Sequence, residues 1–169
     1  MKKKRRAGRG APLFTISESQ RVERMCYDAI GYCQERELGV NTRHIFRRQY
    51  ETLWLHRVAG STKAKYTKFT SVAANQMHGD IRKKEVEQAH CRSVKTFSDE
   101  IFKLYKSSVI TPETILPILK KYEVLAFFTK AEHELFDNTI HEWTDEPELI
   151  SKCKSLGIEL IKNTKCYAD

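Results

Sequence analysis

What this 169-residue sequence lacks narrows the field first. No apolar run approaches the roughly 18–20 residues that cross a bilayer, so no membrane span is expected. The basic start MKKKRRAGRGAPLF has no apolar stretch behind it, and secretion is not expected either. Cys26, Cys33, Cys91, Cys153 and Cys166 are odd in number and include no C-x-x-C pair. They read as reduced thiols of an intracellular protein. Cys26 and Cys33 lie two turns apart on one helix face, without the close pairing that structural zinc sites use, so neither a metal nor a cofactor is expected. No D-x-D, P-loop, G-x-S-x-G or H-E-x-x-H occurs. The closer Arg–His spacing of helical ribonucleases also fails, since Arg48 and His56, like Arg82 and His90, have seven residues between them. No internal repeat is visible. Catalysis is therefore not the leading expectation.

What is present is charge, unevenly placed. The net charge of +8 hides a segment at 1–10 of +6, carried by Lys2, Lys3, Lys4, Arg5, Arg6 and Arg9. Residues 41–84 carry +8, and residues 131–148, with no Lys or Arg, carry −7. Such a split predicts a polyanion-facing front and an acidic back, the latter a surface for a protein partner or self-association. The plain alternative is a solvated surface with clustered charges. Residues 1–14 should form a mobile basic arm that adds sequence-independent affinity for nucleic acid. KKKRR would also serve as a nuclear localisation signal in a eukaryote, and the cytoplasm or nucleoid is the alternative compartment.

Hydrophobic periodicity predicts a mainly α-helical α+β chain. Ser17-Glu-Ser-Gln20 has the form of a capping box, followed by Val22, Met25, Cys26, Ala29, Ile30 and Cys33 at helical spacing, with Gly39 as the stop. Asn41 or Thr42 should cap a second helix, with Ile45, Phe46, Tyr50, Leu53 and Trp54 inward and Arg43, Arg47 and Arg48 outward. A third helix is predicted over 63–78, with Tyr66, Phe69, Ala73 and Met77 inward and Lys65, Lys68, Ser71, Asn75 and His78 outward. GDIRKKEVEQ then reads as a turn or wing. Ser98 is the expected cap of a helix holding Ile101, Phe102, Tyr105 and Val109. Thr111-Pro-Glu opens another, which Pro117 should bend or shorten. YEVLAFFT (122–129) reads as a strand, 131–142 as helix, Pro147 as a helix start, and Gly157 with Ile158–Ile161 as a helix stop and returning strand.

Three short helices, the last two joined by a polar loop, match a helix-turn-helix: the second braces the third, which presents a polar face to a groove. Arg43, Arg47 and Arg48 then suit phosphates, while Lys65, Lys68, Ser71 and Asn75 suit base reading or groove-edge contact, and Lys63 adds to the affinity. The competing reading is a plain helical bundle with solvated polar faces. NTRHIFRRQYETL followed by KYTKFTSVAANQMHGDI resembles the winged-helix module that precedes the Toprim domain in topoisomerase VI A-subunit-like proteins. Arg43, Ile45, Phe46, Tyr66, Gly79 and Ile81 carry the resemblance, over about residues 20–82. Arg47 replaces an expected aromatic and Gln76 an expected basic residue. YEVLAFFTKAEH lacks the glutamate that this family places directly after its first Toprim strand. The resemblance implies DNA binding without strand cleavage.

The expected organisation is thus a basic arm at 1–14, a helix-turn-helix or winged-helix unit at 15–90, and a small mixed C-terminal subdomain at 91–169. The expected function is non-catalytic DNA binding, as a regulator or accessory factor in transcription, replication or recombination. RNA binding, as in a viral protein, and a metal-dependent nuclease using Asp137 and Glu142, or Asp145 with Glu146, are the alternatives.

Overall fold

The computed structural model describes residues 17–55 and 67–164. The arm, Lys63, Lys65, Tyr66 and Cys166 lie outside the described residues. Among those described, the chain is mainly α-helical with one small mixed sheet.

Helix α1 spans Glu18–Glu37. Its capping box is formed: the Gln20 amide donates to Ser17 Oγ at 3.2 Å and the Ser17 amide to Gln20 Oε1 at 2.9 Å. Gly39, at φ 77°, ends it. The Val40 amide reaches Glu35 O at 2.9 Å and the Gly39 amide reaches Arg36 O at 3.1 Å, the paired bonds of a Schellman stop. Helix α2 (Arg43–Tyr50) runs into a π-helical turn at Glu51–Leu55. Phe46, Tyr50 and Trp54 are buried as expected, whereas Ile45 stays half exposed.

The third helix is where the sequence reading fails. The described part of 63–78 is strand β1 (Phe69–Ser71) followed by the short helix α3 (Val72–Gln76). The expected outward and inward positions change accordingly. Ser71 is fully buried, its Oγ capping α3 through the Ala74 amide at 3.0 Å and donating to Glu132 Oε2 at 2.6 Å, while Ala73 is exposed. Tertiary pairing outweighed local periodicity: β1 is an interior strand, satisfied on both edges. The GDIRKKEVEQ segment is likewise no turn. It forms helix α4 (Gly79–Glu85) and strand β2 (Val86–His90).

Helix α5 spans Val94–Ser107 and is capped by Ser93, not Ser98. Ser98 is buried inside it, bonded back to Val94 O at 2.9 Å. The acids at 99 and 100 imitate the first turn that follows a cap, which is why the sequence points five residues too late. Helix α6 (Pro112–Tyr122) starts at Thr111 as predicted and runs through Pro117 without shortening. The carbonyl that Pro117 leaves without a helical donor belongs to Glu113, exposed in the first turn, where water reaches it. Strand β3 (Leu125–Thr129), helices α7 (Lys130–Thr139) and α8 (Glu146–Ser155), and strand β4 (Leu160–Lys162) follow the predicted order.

The sheet order is β2-β3-β1-β4, with β1 and β3 parallel and both outer strands antiparallel to their neighbours. Two apolar clusters flank it. One joins α1, α2 and the π turn to α5 and α6; the other holds β1, Ala89 and Cys91 against Val124, α7, α8 and β4. Alternation along β3 sends Leu125 into the first cluster and Ala126 and Phe128 into the second. Both clusters draw residues from either side of position 90.

Candidate nucleic-acid interface

Helix α2 turns about 100° per residue, so neighbouring arginines leave it in different directions. Arg43 lies against α5, with Nη2 4.0 Å from Asp99, a carboxylate that Arg36 holds at 2.9 Å. Arg48 is exposed. Arg47 donates to Glu51 Oε1 at 2.7 Å, and His90 Nε2 stands 3.3 Å from the same oxygen. Glu51 thus ties α2 to the end of β2. The His90 contact, and secondarily Arg47, pull its carboxyl down to about 2 against the opposing effect of burial.

A depressed carboxylate stabilises the fold above its ordinary range near 4.5 and loses that contribution as pH falls towards 2. With the side chain 32% exposed, solvent screening reduces the contribution to about 1–2 kcal/mol. Wild type should therefore exceed Glu51→Gln in urea stability at neutral pH, with the gap closing as pH falls from about 4.5 towards 2. A gap unchanged by acid would show that Glu51 acts through something other than its charge.

Arg47 also lines an open cleft of about 620 Å³ between α2, the end of β2, the start of α5 and α7. His90, Lys95, His133 and His141 share this lining, and Asp137 is the one carboxylate in it among the described residues. His133 is held by Glu87 at 3.0 Å and Asp137 at 3.4 Å, with its ring stacked on Phe128. Helix α5 brings its N-terminus here, with Lys95 and no acid in its first turn. That end carries partial positive charge from aligned peptide dipoles, which adds to Lys95.

A second cleft of about 720 Å³ adjoins it, sharing Ser93, Thr96 and His141. Its cations are committed to neighbours. Arg92 lies over the Trp143 ring at 3.8 Å and donates to the Trp143 carbonyl, Lys121 pairs with Glu100 at 2.8 Å, and Lys152 with Glu148 at 2.8 Å. Lys152, and secondarily Thr144, hold the half-buried Glu148 carboxyl down at about 2.

Of the other sequence-predicted residues, Lys68 pairs with Glu146 at 2.5 Å, Asn75 is exposed, and Ser71 is withdrawn into the core. Lys63, Lys65 and the arm (Lys2, Lys3, Lys4, Arg5, Arg6) lie outside the described residues. Within the acidic segment, Glu132 accepts from the Thr129 amide in the α7 capping box, Glu146 holds Lys68 and Asp137 enters the cleft. Sequence reasoning missed Lys95 because it stands before the misplaced cap. It missed His90, His133 and His141 because no spacing links residues that three separate segments supply.

Cys26, Cys33, Cys91 and Cys153 are buried free thiols. Burial pushes Cys33 and Cys153 up to about 11 and Cys91 further, which keeps them protonated. Among the described residues no group of three or more His, Cys, Asp or Glu is placed to hold a metal ion, and no helix is long and apolar enough to cross a membrane. Set against protein-family profiles, curated protein sequences and solved structures, the chain matches none of them.

Proposed function

We propose that this chain binds nucleic acid without cleaving it, as a DNA-binding regulator or accessory factor, and that the Arg47–Lys95 cleft receives the phosphate backbone. The observation that carries the reading is the composition of that cleft: Lys95 and three histidines, with Arg47 still half exposed beside its Glu51 partner, against one lining carboxylate, Asp137. Phosphates are attracted by Arg and Lys as charges and by the α5 N-terminus through its dipole. Exposed Arg48, Lys83 and Lys84 add to the surrounding field. The recognition helix of a helix-turn-helix is no longer part of the reading, because 69–76 is strand and short helix. What supports a winged-helix relationship is confined to α2, where Arg43, Ile45 and Phe46 occupy the helix expected for them.

The test is fluorescence anisotropy with a labelled duplex DNA and a single-stranded RNA, across about 50–200 mM salt. The expected result is tighter binding to the duplex, with log K falling steeply against log salt as counterions are released. Tighter RNA binding moves the proposal to RNA. No binding near physiological salt ends it.

A further inference from the structure

Helix α1 turns one stripe outward, formed by Gln20, Arg24, Tyr27, Gly31, Glu35 and Leu38 at three- and four-residue steps. Its apolar members face solvent. Tyr27 is 73% and Leu38 81% exposed, and Ile45, on α2 across a groove from Tyr27, is 48% exposed. Beside Tyr27 that groove deepens into a pocket of about 170 Å³. Buried Phe46 and Tyr32, stacked at 4.7 Å, form its floor, and Gly31, Ile45 and Gln49 line it. Ile45 and Gln49 leave α2 on the side opposite Arg47, so this groove and the cationic cleft are separate.

Gly31 stands in the middle of α1, where glycine costs about 1 kcal/mol relative to alanine. Among the described residues no neighbouring element demands it, since a Cβ there would meet nothing within 4 Å. The missing side chain leaves room for a group from outside the chain to lie close against the helix. A cavity of roughly 150 Å³ holds one benzene ring, so the pocket matches one aromatic side chain. The same stripe carries such a side chain one turn away, in Tyr27. A knob and a hole on one surface complement each other when that surface meets a copy of itself across a two-fold axis.

We propose that a second copy of this chain packs on this stripe, the two α1 helices antiparallel, with Tyr27 of each copy seated in the α1–α2 pocket of the other. A two-fold axis at the height of Ala29 sets Tyr27 over the partner's Gly31 and Arg24 beside the partner's Glu35, each contact made twice. Arg24 and Glu35 are eleven residues apart and so lie on one flank of the helix, which an antiparallel copy presents in reverse order. Arg24 keeps 63% of its side chain exposed beside Asp28, and Glu35 is exposed. A parallel partner would instead set Tyr27 against Tyr27 and like charges side by side. One helix pair covers less than a standard interface, so the dimer is weak, of micromolar rather than nanomolar affinity.

The test is sedimentation velocity of the full chain, free of nucleic acid, over about 1–500 µM, with circular dichroism to check folding. A monomer–dimer equilibrium within that range is expected. Gly31→Leu should abolish the dimer by filling the pocket, in a helix that leucine favours over glycine. Tyr27→Ala should abolish it by removing the ring that fills the pocket. Glu35→Arg should weaken it roughly ten-fold, the loss of two surface ion pairs. Leu135→Ala, which truncates an exposed apolar residue on α7, should leave the equilibrium unchanged. A monomer at every concentration, or a dimer that survives Gly31→Leu or Tyr27→Ala, overturns the pairing. Equal losses in Leu135→Ala and Tyr27→Ala overturn its location, and an indifferent Glu35→Arg overturns the antiparallel register. None of these readouts depends on nucleic acid, so the dimer and the cleft fail separately.

Discussion

Replacing Phe97 with alanine is expected to cost the fold roughly 3–5 kcal/mol, a large share of the 5–15 kcal/mol typical of a domain. Phe97 is 1% exposed and touches three rings on two other helices: Phe46 at 5.5 Å, Tyr50 at 4.5 Å and Tyr122 at 5.2 Å between centroids. Truncation removes the ring's burial, leaves a cavity at the meeting of α2, α5 and α6, and forfeits three aromatic contacts of about 0.5–1.5 kcal/mol each, part of the same total. Phe97→Leu keeps most of the volume and should lose markedly less. The measurement is urea unfolding by fluorescence in two single-tryptophan backgrounds. Trp54 reports the helical cluster and Trp143 the sheet cluster. A shared midpoint shift at both reporters would make the two clusters one cooperative unit, because β3 feeds both. A loss below about 1 kcal/mol would mean that the aromatic cluster is not what holds α5 against α2.

The second large effect concerns binding. The double variant Arg47→Ala, Lys95→Ala should bind duplex DNA about 30-fold more weakly near 0.15 M salt, with the log–log slope shallower by about 1.8, as follows from two lost phosphate contacts. Stability should hardly change. Arg47 is 52% exposed and its pair with Glu51 is solvent-screened, while His90 remains to hold Glu51. Lys83→Ala, Lys84→Ala removes the same charge from α4, outside the cleft lining. It should produce a smaller loss. Equal losses in the two double variants would reduce the interaction to general charge and remove the cleft from it. An unchanged slope in the Arg47, Lys95 variant would remove it outright.

The residues that announced themselves in the sequence are those whose chemistry is local. Ser17 and Gln20 cap each other across one turn, Thr111 precedes a proline in the first turn, and Gly39 and Gly157 adopt the positive φ that ends their helices. Each can be read within a handful of neighbours, because hydrogen bonds at helix ends close over three or four residues. Strand β3 was legible for a related reason: a short apolar run between two helices suits an interior strand. Failures occurred where distant segments decided the outcome. Phe69-Thr-Ser71 has a pattern that fits a helix as readily as a strand, and β3 and β4, contributed from residues 125–129 and 160–162, made it a strand. Ser71 looked like a polar outward residue and became a buried cap for the same reason.

Composition and order along the chain therefore determined that this protein is mainly helical, strongly basic in two segments and supplied with a strand in its C-terminal half. Only tertiary structure decided which cations pair with neighbouring carboxylates, as Arg43, Arg47 and Lys68 do, and which line the open cleft, as Lys95 and the half-exposed Arg47 do. A side chain's charge belongs to its residue, but the field it contributes depends on what stands within a few ångströms, and those neighbours come from elsewhere in the sequence.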